Sequence, residues 1–420
     1  MANSRLSGFY KLPPHERLSL VVKECALTKE ESDSLSGIGL SVSQADRMIE
    51  NVVGLYSLPV GIATNFLING RDYIVPMVVE EPSVVAAASN SARIAREGGG
   101  FKAETTDPVM IGQIQVIGLV DAKEAAEIVL SHKQEIVDFC NQQDSILVKF
   151  GGGCRDVEAR VIDTKGGKML IVHILVDVRD AMGANAINTM AERVAPKIEE
   201  WTGGKVLLRI ISNLAVYRLA RSKAVFPAKE LGGEEVVDAI LNAYWFAEAD
   251  PFRGATHNKG IMNGISAVTV ATGNDWRAVE AGAHSYASFK HHRYTTLSHY
   301  EKDKNGDLVG TIELPLAVGL VGGATKIHPT ARANVRILGV KSAAELSQVI
   351  ASVGLAQNLA ALRALATEGI QKGHMRLHAR NVAATAGAEG DDVEEVARLI
   401  YEAKKVNVEY AKEVLANLKK

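Results

Sequence analysis

Between Ile111 and Ile211 short β-rich runs alternate with helical periodicity, in an order that leaves few folds open. Ile111 to Val120 reads as a strand, and after it Ala125, Ile128, Val129, His132, Ile136 and Phe139 recur at helical spacing. Val157 to Ile162 and Met169 to Val178 are two further β-rich runs, joined by Thr164-Lys-Gly-Gly167, which has the composition of a hairpin turn. Gly183 to Trp201 is helical again and is stopped by Gly203-Gly204. Val206 to Ile211 closes the series. The order β-α-β-β-α-β is that of the ferredoxin-like split βαβ unit. A fold of this kind hosts many chemistries, so function has to be read from particular residues.

The most informative of these lie at the junction Asp180-Ala-Met-Gly-Ala-Asn185-Ala-Ile-Asn188, where a strand feeds a helix. Such a junction aims free backbone N–H groups and the positive end of a helix dipole at an anion, and Gly183 lets a ligand approach the backbone. That is the shape of a phosphate or dinucleotide grip. The usual dinucleotide fingerprint G-x-G-x-x-G is absent, and a tight strand-to-helix turn would have the same outline.

A chain of 420 residues exceeds the ~250–300 at which one core stops growing, so two or three domains are expected. The flanks of the central unit supply them. Pro82 stands where a first helical turn would begin, with Ser83 to Glu97 continuing as a small-residue helix ended by Gly98-Gly99-Gly100. Ser342-x-x-Glu345 is a capping-box pattern opening a helical segment to about Gly369. Both flanks are needed for one core. The expected organisation is therefore α+β: a large α/β domain (1–108 and 221–373), an inserted ferredoxin-like nucleotide-binding domain (109–220), and a short C-terminal helical flap (374–420) with two amphipathic segments after Gly390. Net charge of −2 gives no electrostatic case for nucleic acid or an anionic membrane. No uninterrupted apolar run reaches the roughly 18 residues of a membrane span. Three scattered cysteines fit neither a disulfide framework nor a metal site, and together these features lead to the expectation of a cytoplasmic protein without a bound metal.

Six separated motifs then occur in a telling order: Glu50-Asn-Val-Val-Gly54, Glu80-Glu-Pro-Ser83, the Asp180 junction, Thr256-His-Asn-Lys-Gly-Ile-Met-Asn263, Gly273-Asn-Asp-Trp-Arg-Ala278 and Gly373-His-Met375. From about Glu50 to the C-terminus the chain resembles 3-hydroxy-3-methylglutaryl-coenzyme A (HMG-CoA) reductase, in its class II bacterial and archaeal form. The resemblance implies four-electron interconversion of HMG-CoA and mevalonate plus coenzyme A. Two nicotinamide cofactors would be used, through a mevaldyl-CoA hemithioacetal and mevaldehyde. It also implies a homodimer or an assembly of dimers, with active sites between subunits.

Reducing a thioester in two hydride deliveries puts negative charge on the former carbonyl oxygen and releases a thiolate. The site needs a cation beside that oxygen, a proton donor, and a second donor for sulfur. The resemblance assigns the catalytic roles to Glu81, Lys259, Asp275 and His374, with Lys259 stabilising the oxyanion, Asp275 influencing both Glu81 and Lys259, and His374 protonating the thiolate. His378, one turn on, competes by spacing alone. For the acyl group it implies Ser83, Arg253, Asn263 and Gln357, of which Arg253 has the strongest physical case as a bidentate clamp on a free carboxylate. For the nucleotide it implies Asp144, Asp180, Met182, Gly183, Asn185, Asn188 and Asn213. Asp144 predicts NADH over NADPH, because a carboxylate accepts from a ribose diol and repels an added phosphate.

Two other readings stay open on sequence alone: a ligand-binding regulatory module, and an acyl-CoA enzyme acting through Cys154. Gly151-Gly-Gly-Cys-Arg155 lacks the Lys-Ser/Thr ending of a phosphate loop and reads as a turn into the next strand. The basic, aromatic segment Ser285 to Tyr300 reads either as a contact to coenzyme A phosphates or as a variable surface loop.

Overall fold

The computed structural model describes the backbone of residues 3–37, 39–323, 327–367 and 370–418, and the side chains of these except at 370–377. Ten strands form among the described residues: β1 (Val60–Ile68), β2 (Arg71–Val78), β3 (Phe101–Thr105), β4 (Val109–Ile117), β5 (Gly153–Thr164), β6 (Gly167–Asp177), β7 (Lys205–Ser212), β8 (Leu219–Phe226), β9 (Ser298–Lys302) and β10 (Leu308–Pro315). They make two sheets, ordered β2-β1-β3-β8-β10-β9 and β5-β6-β4-β7.

The four-stranded sheet is antiparallel throughout. Its own strands run second-third-first-fourth, with the Ala122–Ser131, Lys133–Gln143 and Ala184–Thr202 helices packed together on one face. Its core, including Ile114, Val172, Ile174, Ile187 and Val194, is almost entirely its own. The six-stranded sheet draws its core from residues 63–103 and again from 219–362, so the segment between leaves and re-enters one body. That sheet is mostly antiparallel; the sole parallel join is β1 to β3 at Ile68–Phe101.

Local differences from the sequence reading have physical causes. The strand expected to reach Val120 ends at Ile117, because Gly118 turns the chain at φ +70° and Val120 is fully exposed. The single helical periodicity after it is two helices. At the break the His132 ring stacks on Trp201 at 4.2 Å while its Nδ1 lies 2.9 Å from the Ile128 carbonyl, drawing that acceptor toward the side chain. Only half of the capping box forms at Ser342. Its Oγ accepts from Glu345 N, but the Glu345 carboxylate turns to Lys341 N, Tyr73 and Arg71.

That helix, Ala343–Ala366, stops short of the expected Gly369. It meets the length and mean apolarity of a membrane span, although Glu345, Gln348, Asn358 and Arg363 interrupt it, so the expectation of no unbroken apolar run of that length holds. Of its most apolar window, 67% is buried inside the protein, as the central helix under the large sheet. Past it, Ile370–Thr385, Asp392–Glu402 and Val408–Leu418 form a three-helix appendage with its own small core of Ala379, Val382, Ala383, Val396, Ile400 and Leu415.

Candidate active site

A cavity of about 740 Å³ opens between the Val84–Glu97, Pro251–Ala271 and Ala343–Ala366 helices. The Pro251–Ala271 helix lies close against the central one because its glycines allow it. A Cβ on Gly264 would come within 2.9 Å of the Gln357 Cβ, and one on Gly354 within 2.7 Å of Ile265. The polar stretch Thr256 to Asn263 lies within that helix, and Thr256, His257, Lys259 and Asn263 line the gap. Lys259 Nζ donates to Glu81 Oε2 at 2.8 Å, and Asn263 Nδ2 donates to the same oxygen at 3.3 Å. Ser83, Arg253 and Gln357 line the same cavity. Burial holds the Arg253 pKa below the ordinary guanidinium value.

Two features mark this cavity as built for a ligand. Ser83 is the residue before the Val84–Glu97 helix, but its φ of +76° turns the hydroxyl away from the usual capping role, and it makes no side-chain cap bond. Gln357, 5% exposed, has a carbonyl oxygen with no hydrogen-bond partner among the described residues. Buried polar atoms are seldom left so without a partner to come.

A second cavity, of about 780 Å³, lies at the strand-to-helix junction. Gly183 adopts φ +102° before the Ala184–Thr202 helix, and no side chain caps that helix, which leaves its first N–H groups free. A Cβ on Gly183 would strike Val178 at 2.5 Å, and one on Gly319 would strike Met182 N at 2.6 Å, so the backbone there is packed as closely as glycine permits. Asp144, Met182, Gly183 and Asn185 line this cavity. Asp144 also caps the short Ser145–Lys149 helix through Leu147 N, and its other oxygen has no hydrogen bond among the described residues.

Three residues expected at the nucleotide do not line this cavity. Asp180 Oδ1 accepts from Ala343 N at 2.7 Å, tying the junction to the start of the central helix. Asn188 Oδ1 accepts from Ile211 N, fastening its helix to β7, and exposed Asn213 lines neither cavity. Asp275 is also not where its expected role requires. It caps the Trp276–Phe289 helix through Arg277 N and Ala278 N and lines the nucleotide cavity, whereas Lys259 lines the other. Twelve residues of helix separate Lys259 from Ala271, about 18 Å at 1.5 Å per residue. Within one chain Asp275 and the Lys259–Glu81 pair thus line different cavities. His374 sits in the Ile370–Thr385 helix, its side chain outside the described residues; His378 beyond it is exposed.

The model of the hydroxymethylglutaryl-coenzyme A reductase family matches residues 13–379. This chain belongs to that family. It is 61% identical over 417 residues to the 3-hydroxy-3-methylglutaryl-coenzyme A reductase of Archaeoglobus fulgidus, covering 99% of this chain and 95% of the relative. A probable reductase of Borreliella burgdorferi is 38% identical, over 80% and 77% of the two chains. Among solved structures, the Streptococcus pneumoniae enzyme superimposes with a TM-score of 0.84 at 42% identity, over 98% of this chain and 99% of that one. The class II enzyme of the same organism bound to NADPH in open conformations gives 0.83 at 43% identity, over 86% and 99%.

Several site residues carried no usable signal in sequence. Arg218, 5% exposed, donates to the carbonyls of Ala181, Met182 and Val318, clamping the junction to the strand end; burial pushes its pKa down to about 10. Asn274 Oδ1 accepts from Gly319 N at 2.7 Å and so sets the Gly319–Gly323 wall of the nucleotide cavity. The glycines of that wall, Gly319, Gly322 and Gly323, are the one feature that sequence reading could have flagged. Cys154 is buried beside β6, its thiol directed to the Asp156 carbonyl, and is not placed for acyl transfer.

Proposed function

We propose that this protein is an HMG-CoA reductase interconverting HMG-CoA with mevalonate and coenzyme A through a hemithioacetal and mevaldehyde. The observation that carries the reading is the convergence of Lys259 and Asn263 on one oxygen of Glu81, beside Arg253, in a cavity large enough for an acyl chain. A nicotinamide cofactor fits the second cavity, where the uncapped helix start offers N–H groups to a pyrophosphate. Two reduced nicotinamides bound there in succession would each supply one hydride to the acyl carbon. Arg253 clamps the free carboxylate of the acyl group, and Ser83 offers a hydroxyl beside it. The Lys259 ammonium faces the oxygen that becomes negative at each delivery, and Glu81 relays a proton to it. His374 protonates the departing coenzyme A thiolate. Arg218 and Asp180 position the junction against the large body instead of touching the cofactor.

A homodimer completes the site. The 18 Å or so between Lys259 and the start of the Asp275 loop leaves each chain with a separated acyl half and nucleotide half, and a second copy brings its Asp275 and nucleotide cavity to face Glu81 and Lys259. Asp144 favours NADH, since its other oxygen suits a ribose diol better than a phosphate. The expected domain limits at 221 and 374 fall inside β8 and the Ile370–Thr385 helix, so the divisions that suit this arrangement lie near 109, 219 and 370. The test is NADH oxidation by the purified protein with HMG-CoA. Turnover that vanishes in Lys259→Ala supports the reading, and no turnover with either nicotinamide ends it.

A further inference from the structure

His257 is one turn past Arg253 on the same helix, lines the acyl cavity, and is only 2% exposed. Its ring contacts are lopsided. Nε2 lies 2.7 Å from Ser298 Oγ, whereas Nδ1 is buried and has no hydrogen-bond partner among the described residues. Ser298 decides the tautomer. Its single hydroxyl proton goes to Asn358 Oδ1 at 2.8 Å, an oxygen that also accepts from Tyr300, so Ser298 Oγ must accept from His257 Nε2–H. That leaves Nδ1 as a bare lone pair on a residue of the cavity wall. Desolvation, with the Arg253 charge adding to it, pushes the His257 pKa down to about 3, which keeps the ring neutral across the working pH range.

The back wall that fixes this geometry is the segment Ser285 to Tyr300, read from sequence as a surface loop or a phosphate contact. Asn258, next to His257, donates to the Thr295 carbonyl and accepts from Leu297 N, which ties the segment down so that Ser298 meets the ring. Gln357, whose Oε1 is likewise orphaned among the described residues, lines the same cavity, so two residues of its wall carry unanswered acceptors near one guanidinium. A ligand that answers this pattern carries a carboxylate for Arg253 and, a few bonds away, a hydrogen-bond donor. A neutral acceptor suits that task better than Asp or Glu, whose charge would repel the ligand's carboxylate and compete for Arg253.

We propose that His257 is a specificity-determining residue whose unprotonated Nδ1 accepts a hydrogen bond from the tertiary hydroxyl of the acyl substrate. The inference rests on the reading of the cavity as the hydroxymethylglutaryl site. It accounts for how the pocket separates a 3-hydroxy acyl chain from its deoxy counterpart, a distinction Arg253 cannot make.

The test uses the wild-type dimer and titrates HMG-CoA against 3-methylglutaryl-CoA, which lacks only the hydroxyl. Wild-type protein should bind the hydroxylated ligand on the order of tenfold more tightly. His257→Gln, which keeps a donor for Ser298 but offers nothing at the Nδ1 position, should abolish that preference. His257→Asn, whose amide oxygen falls near Nδ1, should retain part of it. In wild-type protein labelled with ¹⁵N-histidine, the unprotonated nitrogen of the imidazole that stays neutral at pH 5 should shift with HMG-CoA and not with the deoxy ligand. This holds the test open if a variant misfolds. A preference unchanged in His257→Gln, or an Nδ1 resonance indifferent to the hydroxyl, overturns the inference and leaves the functional reading standing. Wild-type protein that binds neither acyl-CoA overturns both.

Discussion

Ser83 offers a perturbation in which stability and function should move in opposite directions. Its backbone sits at φ +76° and ψ −20°, a region that costs a residue with a Cβ about 1–2 kcal/mol. Ser83→Ala keeps that strain and deletes the hydroxyl; Ser83→Gly deletes both. Glycine returns roughly 0.4–1 kcal/mol of this to the unfolded chain as entropy, so the glycine variant should be about 1 kcal/mol more stable than the alanine one. Over 420 residues the entropy of unfolding is roughly 0.9 kcal/mol/K, which makes the difference about 1 °C in Tm if the protein melts as one unit, and more if the large core melts alone. Both variants lose the same hydrogen bond to substrate, worth ~0.5–1.5 kcal/mol, and should raise KM for HMG-CoA about two- to tenfold. Scanning calorimetry and steady-state kinetics on the pair decide the matter. A glycine variant no more stable than the alanine variant refutes the strain argument, and an unchanged KM in Ser83→Ala refutes the contact.

Other perturbations probe the division of the site. Lys259→Ala and Asp275→Asn should each lose roughly 100- to 10,000-fold in turnover. If the acyl and nucleotide halves come from different chains, mixing the two dead proteins under subunit exchange should restore about a quarter of wild-type activity, since half the dimers are mixed and each keeps one intact site; mixtures that stay dead at confirmed exchange count against a shared site. Asp144→Ala should erode a preference for NADH measured as the ratio of kcat/KM values, and a wild-type protein equally efficient with NADPH would remove the basis for it. His374→Ala should slow thioester reduction more than reduction of free mevaldehyde, because only the former releases a thiolate. Deleting Gly390 to Lys420 strips Val396, Ile400 and Leu415 from the core that holds the His374 helix, so it should abolish thioester reduction while NAD binding stays measurable by fluorescence titration. Loss of both would show that the appendage also supports the nucleotide cavity.

What could be read from the sequence was whatever depends on neighbours along the chain. The β-α-β-β-α-β order, the glycine-bearing junction at Gly183 and the family motifs are local patterns, and strand alternation, helix spacing and turn chemistry are local physics. Where local signals compete, tertiary contacts decided. His132 interrupts a helix because Trp201 lies across from it, and an apolar 24-residue helix is a core element because two sheet-bearing flanks close around it. The roles of polar residues were the least legible, since a carboxylate or amide is equally able to cap a helix, pin a strand or meet a ligand. Asp180, Asn188 and Asp275 are engaged in caps and pins that sequence spacing does not distinguish from ligand contacts. His257 is defined by a partner 41 residues away, and Arg218 by partners 36 residues or more away. Sequence fixes which groups are present; only the fold decides which of their lone pairs and protons are left unanswered.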